Sequence, residues 1–312
     1  MVSSFDQVFV VFGPTASGKS DLGIFLSELK NGEIINADSV QIYDALPNLT
    51  AQPSKEDMEK VPHHLYGILS PEENNSVGTW LSLVDKEIKN VIANGKTPVI
   101  IGGTGMYVSA LLNGINHIPE IEKSIRDNVK NLFSELGIAG FYEELISLDP
   151  KVIGIISPKD SQRMIRAYEV KKATGISITD WWKNPDRKHI KYNFYKIFVN
   201  PPREDLYAKC DARFIKMIDN NIIDEVISLK RKYENLEKLC IYKAIGVKEI
   251  LSMLNKEITI NEMIAKAQQS TRNYAKRQIT WFKNQINSDA IIDTSDKQEQ
   301  KNMLKTYLNK LV

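Results

Sequence analysis

An α/β fold, with a parallel sheet flanked by helices and interrupted by a helical insertion, is predicted by three features of the 312-residue sequence. Short apolar runs alternate with helical patterns over the first third. The first run leads into Gly13-Pro14-Thr15-Ala16-Ser17-Gly18-Lys19-Ser20, a full match to G-x-x-x-x-G-K-[ST]. Strand signals vanish between about Ile118 and Lys191 and then return. The expected organisation is a core of residues 1–115 and 192–312, with 116–191 an inserted all-helical subdomain. The composition, 42% hydrophobic and 26% charged, is that of an ordinary globular chain.

The elements follow in order. Val8–Phe12 reads as a buried strand, and Leu22, Phe25, Leu26 and Leu29 after the glycine loop read as a helix. Glu33–Asn36 and Pro98–Ile101 are the next strands. Trp80, Leu81, Leu83, Val84, Ile88, Val91 and Ile92 mark the helix between them. Such a βαβ rhythm implies a parallel sheet with active residues at the carboxyl ends of its strands. Ser157-Pro158 as N-cap and first-turn proline, with Gly175 as a stop, predicts a helix over Lys159–Thr174. Asn193–Val199 returns to strand. Long helices are expected near Arg203–Asn220 and Ile260–Gln285, and a weak last strand at Ala290–Ile292.

The loop at 13–20 needs a strand before it and a helix after it, and has both. Its backbone N–H groups then bind phosphate oxygens at a helix N-terminus, where the dipole is positive. Gly13, Thr15, Ala16, Ser17, Gly18, Lys19 and Ser20 are therefore diphosphate-binding candidates. Lys19 supplies a point charge, and the Ser20 hydroxyl is the candidate Mg²⁺ ligand. Asp38 follows the second strand, beside the loop. It reads as a metal ligand, a general base or a helix cap. Gly102-Gly103-Thr104-Gly105 follows the third strand. It reads as a close-approach turn with a hydroxyl for a phosphate or leaving group, or as a plain strand-to-helix turn. No aspartate ends that apolar strand, which argues against an ordinary ATPase.

The net charge of +2 hides a division. Residues 1–156 carry 11 Lys+Arg and 20 Asp+Glu, whereas residues 157–312 carry 30 and 19. A polyanionic partner for the second half is one reading; a solvated lysine-rich surface is the other. Lys159, Arg163 and Arg166 share one helical face, and Arg272, Lys276 and Lys283 another, with Gln162, Tyr274 and Gln278 nearby as base or sugar contacts. Cys210 and Cys240 lack metal-site spacing and suggest a reducing compartment, with a cytoplasmic enzyme the default. Neither a transmembrane span nor a secretory signal is expected.

Seven segments together resemble the bacterial tRNA dimethylallyltransferases, or isopentenyltransferases. They are GPTASGKS (13–20), NADSVQIY (36–43), TAQPS (50–54), VPHHL (61–65), GGTGMYVSALLNG (102–114), SQRMIRAYEV (161–170) and AKRQITWF (275–282), in family order over nearly the whole chain. The resemblance implies transfer of a dimethylallyl group from dimethylallyl diphosphate to the N6 amine of the adenosine 3′ of the anticodon, in tRNAs reading codons that begin with U. It implies Mg²⁺ as cofactor, the tRNA anticodon stem-loop as partner, and a monomer. By position, Asp38 matches the general base, Thr104 the residue at the leaving pyrophosphate, and Arg213 an arginine on the diphosphate. Ser39, Val40, Gln41, Gln162, Arg163 and Arg166 match tRNA contacts. So do Lys243 to Lys248 and Lys276 to Lys283, the latter stretch including Arg277, Gln278 and Trp281. Arg126 matches a position flanking the substrate channel. Two departures concern tRNA contact: Gln52 stands where most members have lysine, and Ile245-Gly246-Val247-Lys248 where Val-Gly-Tyr-Arg is common.

Rival readings remain at the level of sequence. A small-metabolite kinase shares the loop, with ATP as the bound nucleotide, but leaves the basic second half unexplained. A nucleotide-gated RNA-binding module leaves Asp38 idle. A prenyltransferase acting on free adenine nucleotides would lack the basic helices.

Overall fold

The computed structural model describes residues 7–116, 118–183, 187–188 and 190–311; the remaining positions of the expected domains lie outside this description. The chain divides into two compact units, with breaks after residue 112 and before residue 190. The first unit opens with β1 (Gln7–Phe12), α1 (Lys19–Lys30), β2 (Gly32–Asn36), α2 (Pro47–Thr50) and α3 (Lys55–Lys60). It continues with β3 (His63–His64), α4 (Val77–Ala93), β4 (Thr97–Gly102) and α5 (Gly105–Asn113), whose last residue begins the second unit.

The second unit holds β5 (Ile115–Asn116), α6 (Lys123–Leu148), α7 (Ser161–Thr174), α8 (Ile178–Lys183) and β6 (Arg187–Lys188). Its own core is built on Phe141, Leu145, Val152, Met164 and Val170. The first unit resumes with β7 (Asn193–Val199), α9 (Arg203–Asp219), α10 (Ile222–Lys232), α11 (Val247–Leu254), α12 (Ile260–Gln285), β8 (Ala290–Ile292) and α13 (Lys297–Asn309).

All pairings in the main sheet are parallel, in the order β3-β2-β4-β1-β7-β8. Phe12 lies level with Gly102 of β4 on one side and Phe198 of β7 on the other, and Asn36 lies level with Ile101. The carboxyl ends of four strands therefore finish together, and every loop leaving them opens at one edge. Because side chains alternate along a strand, β1 serves two faces. Phe9 and Val11 join Leu22, Leu26, Leu304 and Leu308 of α1 and α13 in one core. On the other face Phe12, Phe198 and Phe282 of α12 meet, with ring centroids 5.0 Å apart for Phe12–Phe282 and 5.8 Å for Phe198–Phe282. Both faces are covered, so the central strands β1 and β4 are apolar runs rather than alternations.

Four details depart from the sequence expectations. Helix α7 begins at Ser161, not Lys159. Asp160 is its N-cap and accepts from the Arg163 N–H at 3.1 Å, while Ser157-Pro158 forms a preceding turn closed by Asp160 N–H to Ser157 O. A carboxylate one residue from the helix outcompetes a serine four away. Lys159 consequently lies outside the helical face assigned to it. The second unit is helical apart from a two-pair antiparallel ladder between β5 and β6, too short for periodicity to reveal. The run α6 is broken at Gly137, where φ is +64°. Finally, the His63-His64 pair adds a two-residue edge strand against β2.

The Phe282 ring is 1% exposed. Phe282→Ala is expected to lower unfolding free energy by about 3–5 kcal/mol, read from urea denaturation, because the packed neighbours Phe12 and Phe198 cannot both collapse into the space.

Candidate functional site

The phosphate loop is built from the end of β1 and the start of α1. Gly18 sits at φ +91° as the N-cap of α1, a conformation L side chains rarely adopt. From α13, Gln300 donates to Ser17 O at 3.0 Å and to Thr294 O at 2.8 Å, anchoring the loop from outside. Inside it, Lys19 Nζ donates to Pro14 O at 3.1 Å. Burial lowers the Lys19 ammonium from 10.5 to about 8. Repulsion from Arg213 adds to this, and attraction to Asp38 partly offsets it. The Arg213 guanidinium, from α9, donates to Thr15 Oγ1 and is likewise lowered by desolvation. Two cations short of solvent thus meet at one loop.

Asp38 leaves β2 in a turn of its own. Its Oδ1 accepts from Val40 N–H at 2.9 Å and Gln41 N–H at 3.4 Å, while its own N–H donates to Asn36 Oδ1 at 2.8 Å. One oxygen is thus used to close a turn and not to cap a helix, since the next helix after Asp38 is α2 at Pro47. This leaves Oδ2 without a hydrogen bond among the described residues. Asn36, fully buried, fixes this corner by donating to Leu65 O and Asp38 O.

Two cavities open at this edge. One, of about 350 Å³, is lined by Ser39, Val40, Lys243 and Arg277; the other, of about 250 Å³, by Lys19, Ser20, Gln41 and Gln278. Thr15, Asp38, Thr50, Arg213 and Tyr274 belong to both. The Tyr274 hydroxyl is pushed well above its usual range by burial and then by the Asp38 charge, as is that of Tyr66. The carboxylate of Asp38, the Arg213 cation and a neutral phenol thus stand at a shared wall, with Lys19 beside them on the smaller cavity.

The structure places the remaining candidates unevenly. Thr104 Oγ1 accepts from Ser39 N–H at 2.9 Å and donates to Ser39 Oγ at 3.2 Å. It lines a smaller cavity with Trp281 and Arg277 instead of the two above. The Gln41 amide is spent on Thr50 O and Ala51 O. Gln278, assigned to the RNA surface from sequence, is only 6% exposed and bonded within the protein at both ends of its amide. Helical spacing had put Arg272 on the same basic face as Lys276, but it pairs with Asp211 at 2.6 Å, whereas Lys276, Arg277 and Lys283 are exposed. Lys243 and Lys248 are exposed on the segment entering α11. In the second unit, Arg126, Gln162 and Arg163 are exposed; Arg166 is half-buried and 3.4 Å from Glu169.

Sequence reasoning passed over Glu225. From α10 it accepts from Asn48 N–H at 2.9 Å and Leu49 N–H at 3.0 Å, holding the short helix α2 whose Leu49 and Thr50 line the larger cavity. Nothing local in sequence signals a partner 176 residues away.

No cluster of three or more His, Cys, Asp or Glu side chains suited to a metal occurs among the described residues. The oxygen donors lining the 250 Å³ cavity include Ser20, Asp38 and Asp57. Such a sparse set fits a Mg²⁺ ion carried largely by phosphate and water, not one caged by protein.

The IPP transferase family model matches residues 41–285, and the isopentenyl transferase model residues 6–71. The tRNA dimethylallyltransferase of Rickettsia felis is 42% identical, covering 94% of this chain and 95% of its own. That of Wolbachia pipientis is also 42% identical, covering 94% and 97%. The crystal structure of the full-length tRNA isopentenylpyrophosphate transferase of Bacillus halodurans aligns with a TM-score of 0.70 at 30% identity, over 98% of this chain and 96% of that one. A eukaryotic dimethylallyltransferase acting on tRNA shares the fold, with a TM-score of 0.80 at 23% identity over 96% and 77%. With its phosphate loop, its Asp38 corner and a family match across most of its length, the chain belongs to the IPP transferase family.

Proposed function

We propose that this enzyme transfers the dimethylallyl group of dimethylallyl diphosphate to the N6 amine of the adenosine 3′ of the anticodon, in tRNAs reading codons that begin with U, releasing diphosphate. The observation that carries this reading is the wall shared by two cavities, where Asp38 stands beside the desolvated pair Lys19 and Arg213. One cavity then takes the phosphate end of the donor and the other the extruded base; a base must leave its stack to expose the amine. A small-metabolite kinase is not favoured, since β4 ends at Gly102 with no carboxylate to hold a nucleotide-bound metal.

The purine amine is a weak nucleophile, because its lone pair is delocalised. The chemistry therefore depends on departure of the diphosphate. As the bond from the allylic carbon to oxygen breaks, its electron pair passes to the diphosphate, and the amine nitrogen bonds to that carbon. Lys19, Arg213 and the loop N–H groups meet the charge that develops, each such donor being worth roughly 3 kcal/mol in the transition state. Asp38 Oδ2 holds the amine and takes its proton as the new bond forms. Thr104 would reach the leaving group only by exchanging a hydrogen bond to Ser39. Ser20 would hold Mg²⁺ on the diphosphate. When bound, that ion would supply further positive charge against the departing oxygens.

Exposed cations supply the tRNA surface: Lys243, Lys248, Lys276, Arg277 and Lys283 in the first unit, and Arg126 and Arg163 in the second. Ser39, Val40, Gln162, Arg166 and Trp281 add contacts. No described helix is long and apolar enough to cross a membrane, and we place the enzyme in the cytoplasm as a monomer.

The activity is tested with radiolabelled dimethylallyl diphosphate offered tRNA, AMP or ATP as acceptor: label should enter tRNA alone, and label in AMP would overturn the reading. Asp38→Ala should lower turnover by about 10²–10⁴ with tRNA affinity unchanged in filter binding. Lys19 gives a pH signature. Its ammonium attracts the diphosphate and is lost as pH rises through about 8. Donor affinity should therefore be level below that pH and fall about tenfold per unit above it. The break should vanish in Lys19→Arg, whose charge does not titrate there. Arg163→Ala combined with Lys276→Ala should reduce the slope of log affinity against log salt by roughly 1.5.

A further inference from the structure

Gln278 lies on α12, buried, and ties two loops together. Its Oε1 accepts from Thr15 N–H at 2.9 Å, and its Nε2 donates to Gly103 O at 2.8 Å. Thr15 is the phosphate-loop residue whose hydroxyl takes the Arg213 hydrogen bond. Gly103 precedes Thr104, whose hydroxyl is bonded to Ser39, the residue after Asp38. One amide thus joins the loop after β1 to the loop after β4, and through Thr104 to the Asp38 corner. The fit is close: a Cβ on Gly103 would come within 2.5 Å of Gln278 Nε2. Both polar ends of the side chain are satisfied, the amide oxygen accepting at one end and the amide NH₂ donating at the other without a charge.

We propose that Gln278 is a positioning residue, which sets the phosphate loop at Thr15 against the Gly103-Thr104 loop, and with it the diphosphate against the Asp38 corner. It lines the smaller of the two principal cavities, but both ends of its amide are bonded within the protein, so its role is exerted through the loops it holds and not on the reacting atoms. It acts by holding Thr15 N–H and Gly103 C=O at a separation fixed by its own length. Tyr274, one turn earlier on α12, lines both principal cavities, so the same helix that carries the strut also forms their wall. The proposal rests on the transfer reaction above, and its test keeps the two apart.

Gln278→Met preserves length and volume and removes both hydrogen bonds. Turnover should fall about 100-fold, the loss typical of a misplacement near 1 Å. Affinity for inorganic diphosphate, measured by calorimetry, should weaken severalfold. Affinity for an anticodon stem-loop RNA should not change, and the melting temperature should fall by only a few degrees, since Thr15 N–H and Gly103 C=O each lose a partner. Gly103→Ala should reproduce the defect from the other side of the contact, and Gly103→Ala in a Gln278→Ala background should add nothing to Gln278→Ala alone. RNA affinity falling in step with turnover would make Gln278 an RNA contact and overturn the proposal. So would additive losses in the double variant, or diphosphate affinity and turnover both unchanged. If the wild-type protein transfers no label, the reaction is refuted while diphosphate binding still decides the role of Gln278. Should Gln278→Met not fold, Gly103→Ala carries the same measurements.

Discussion

The site depends on positive charge held away from water before any substrate arrives. Lys19 and Arg213 are brought together by elements 194 residues apart in sequence; burial lowers the proton affinity of both, and Arg213 lowers that of Lys19 further. Displacing the lysine from 10.5 to about 8 costs roughly 3 kcal/mol. The fold bears that cost through the rest of the domain. On the proposed reaction a diphosphate would relieve it on binding and gain more as the leaving group collects charge. The same ammonium in open water would be screened to a small fraction of this effect.

The surrounding structure works to keep those charges in place. Four strands end level, so loops from distant segments share an edge without long excursions. The loops are then tied from behind by uncharged amides: Asn36 below Asp38, Gln300 behind Ser17, Gln278 between Thr15 and Gly103. Amides suit this task. A charged strut near two cations would either neutralise them or be repelled, whereas an amide contributes direction without altering the field. Farther out, the Phe12–Phe198–Phe282 contact fixes α12 on the sheet just one turn beyond Gln278.

The α/β class, the parallel sheet and the phosphate loop were legible because each rests on local pattern: an apolar run, a glycine signature, a 3.6-residue period. Helix α12 and strand β7 were read with their observed bounds for the same reason. What escaped is non-local. Asp160 displaced Ser157 as the cap of α7 because capping depends on backbone geometry that the motif alone does not contain. Gln278 looked like one more polar residue on a basic face. Helical spacing places it near Lys276 but cannot show that the sheet's loops rise to enclose it. Glu225 gave no signal at all, since its partners are backbone N–H groups at Asn48 and Leu49.

Charge balance at the shared wall bears on how complete the protein's own contribution is. Lys19 and Arg213 bring two positive charges to the 250 Å³ cavity, and Asp38 and Asp57 return two negative. A prenyl diphosphate above its last ionisation carries three negative charges. Loop amides stabilise these with dipoles but do not cancel them. Binding through protein alone would leave the site with a net negative charge, in surroundings poorer in water than bulk, and the imbalance would sharpen as the leaving group takes up an electron pair. On the proposed reaction a divalent cation carried in on the diphosphate would offset most of that excess. The single hydroxyl of Ser20 at the cavity wall, with no carboxylate cluster beside it, is the coordination expected when the phosphate supplies most of the ligands. The scarcity of metal ligands in this chain and the crowding of its cations are thus two consequences of one arrangement, in which the substrate brings the charge that the protein lacks.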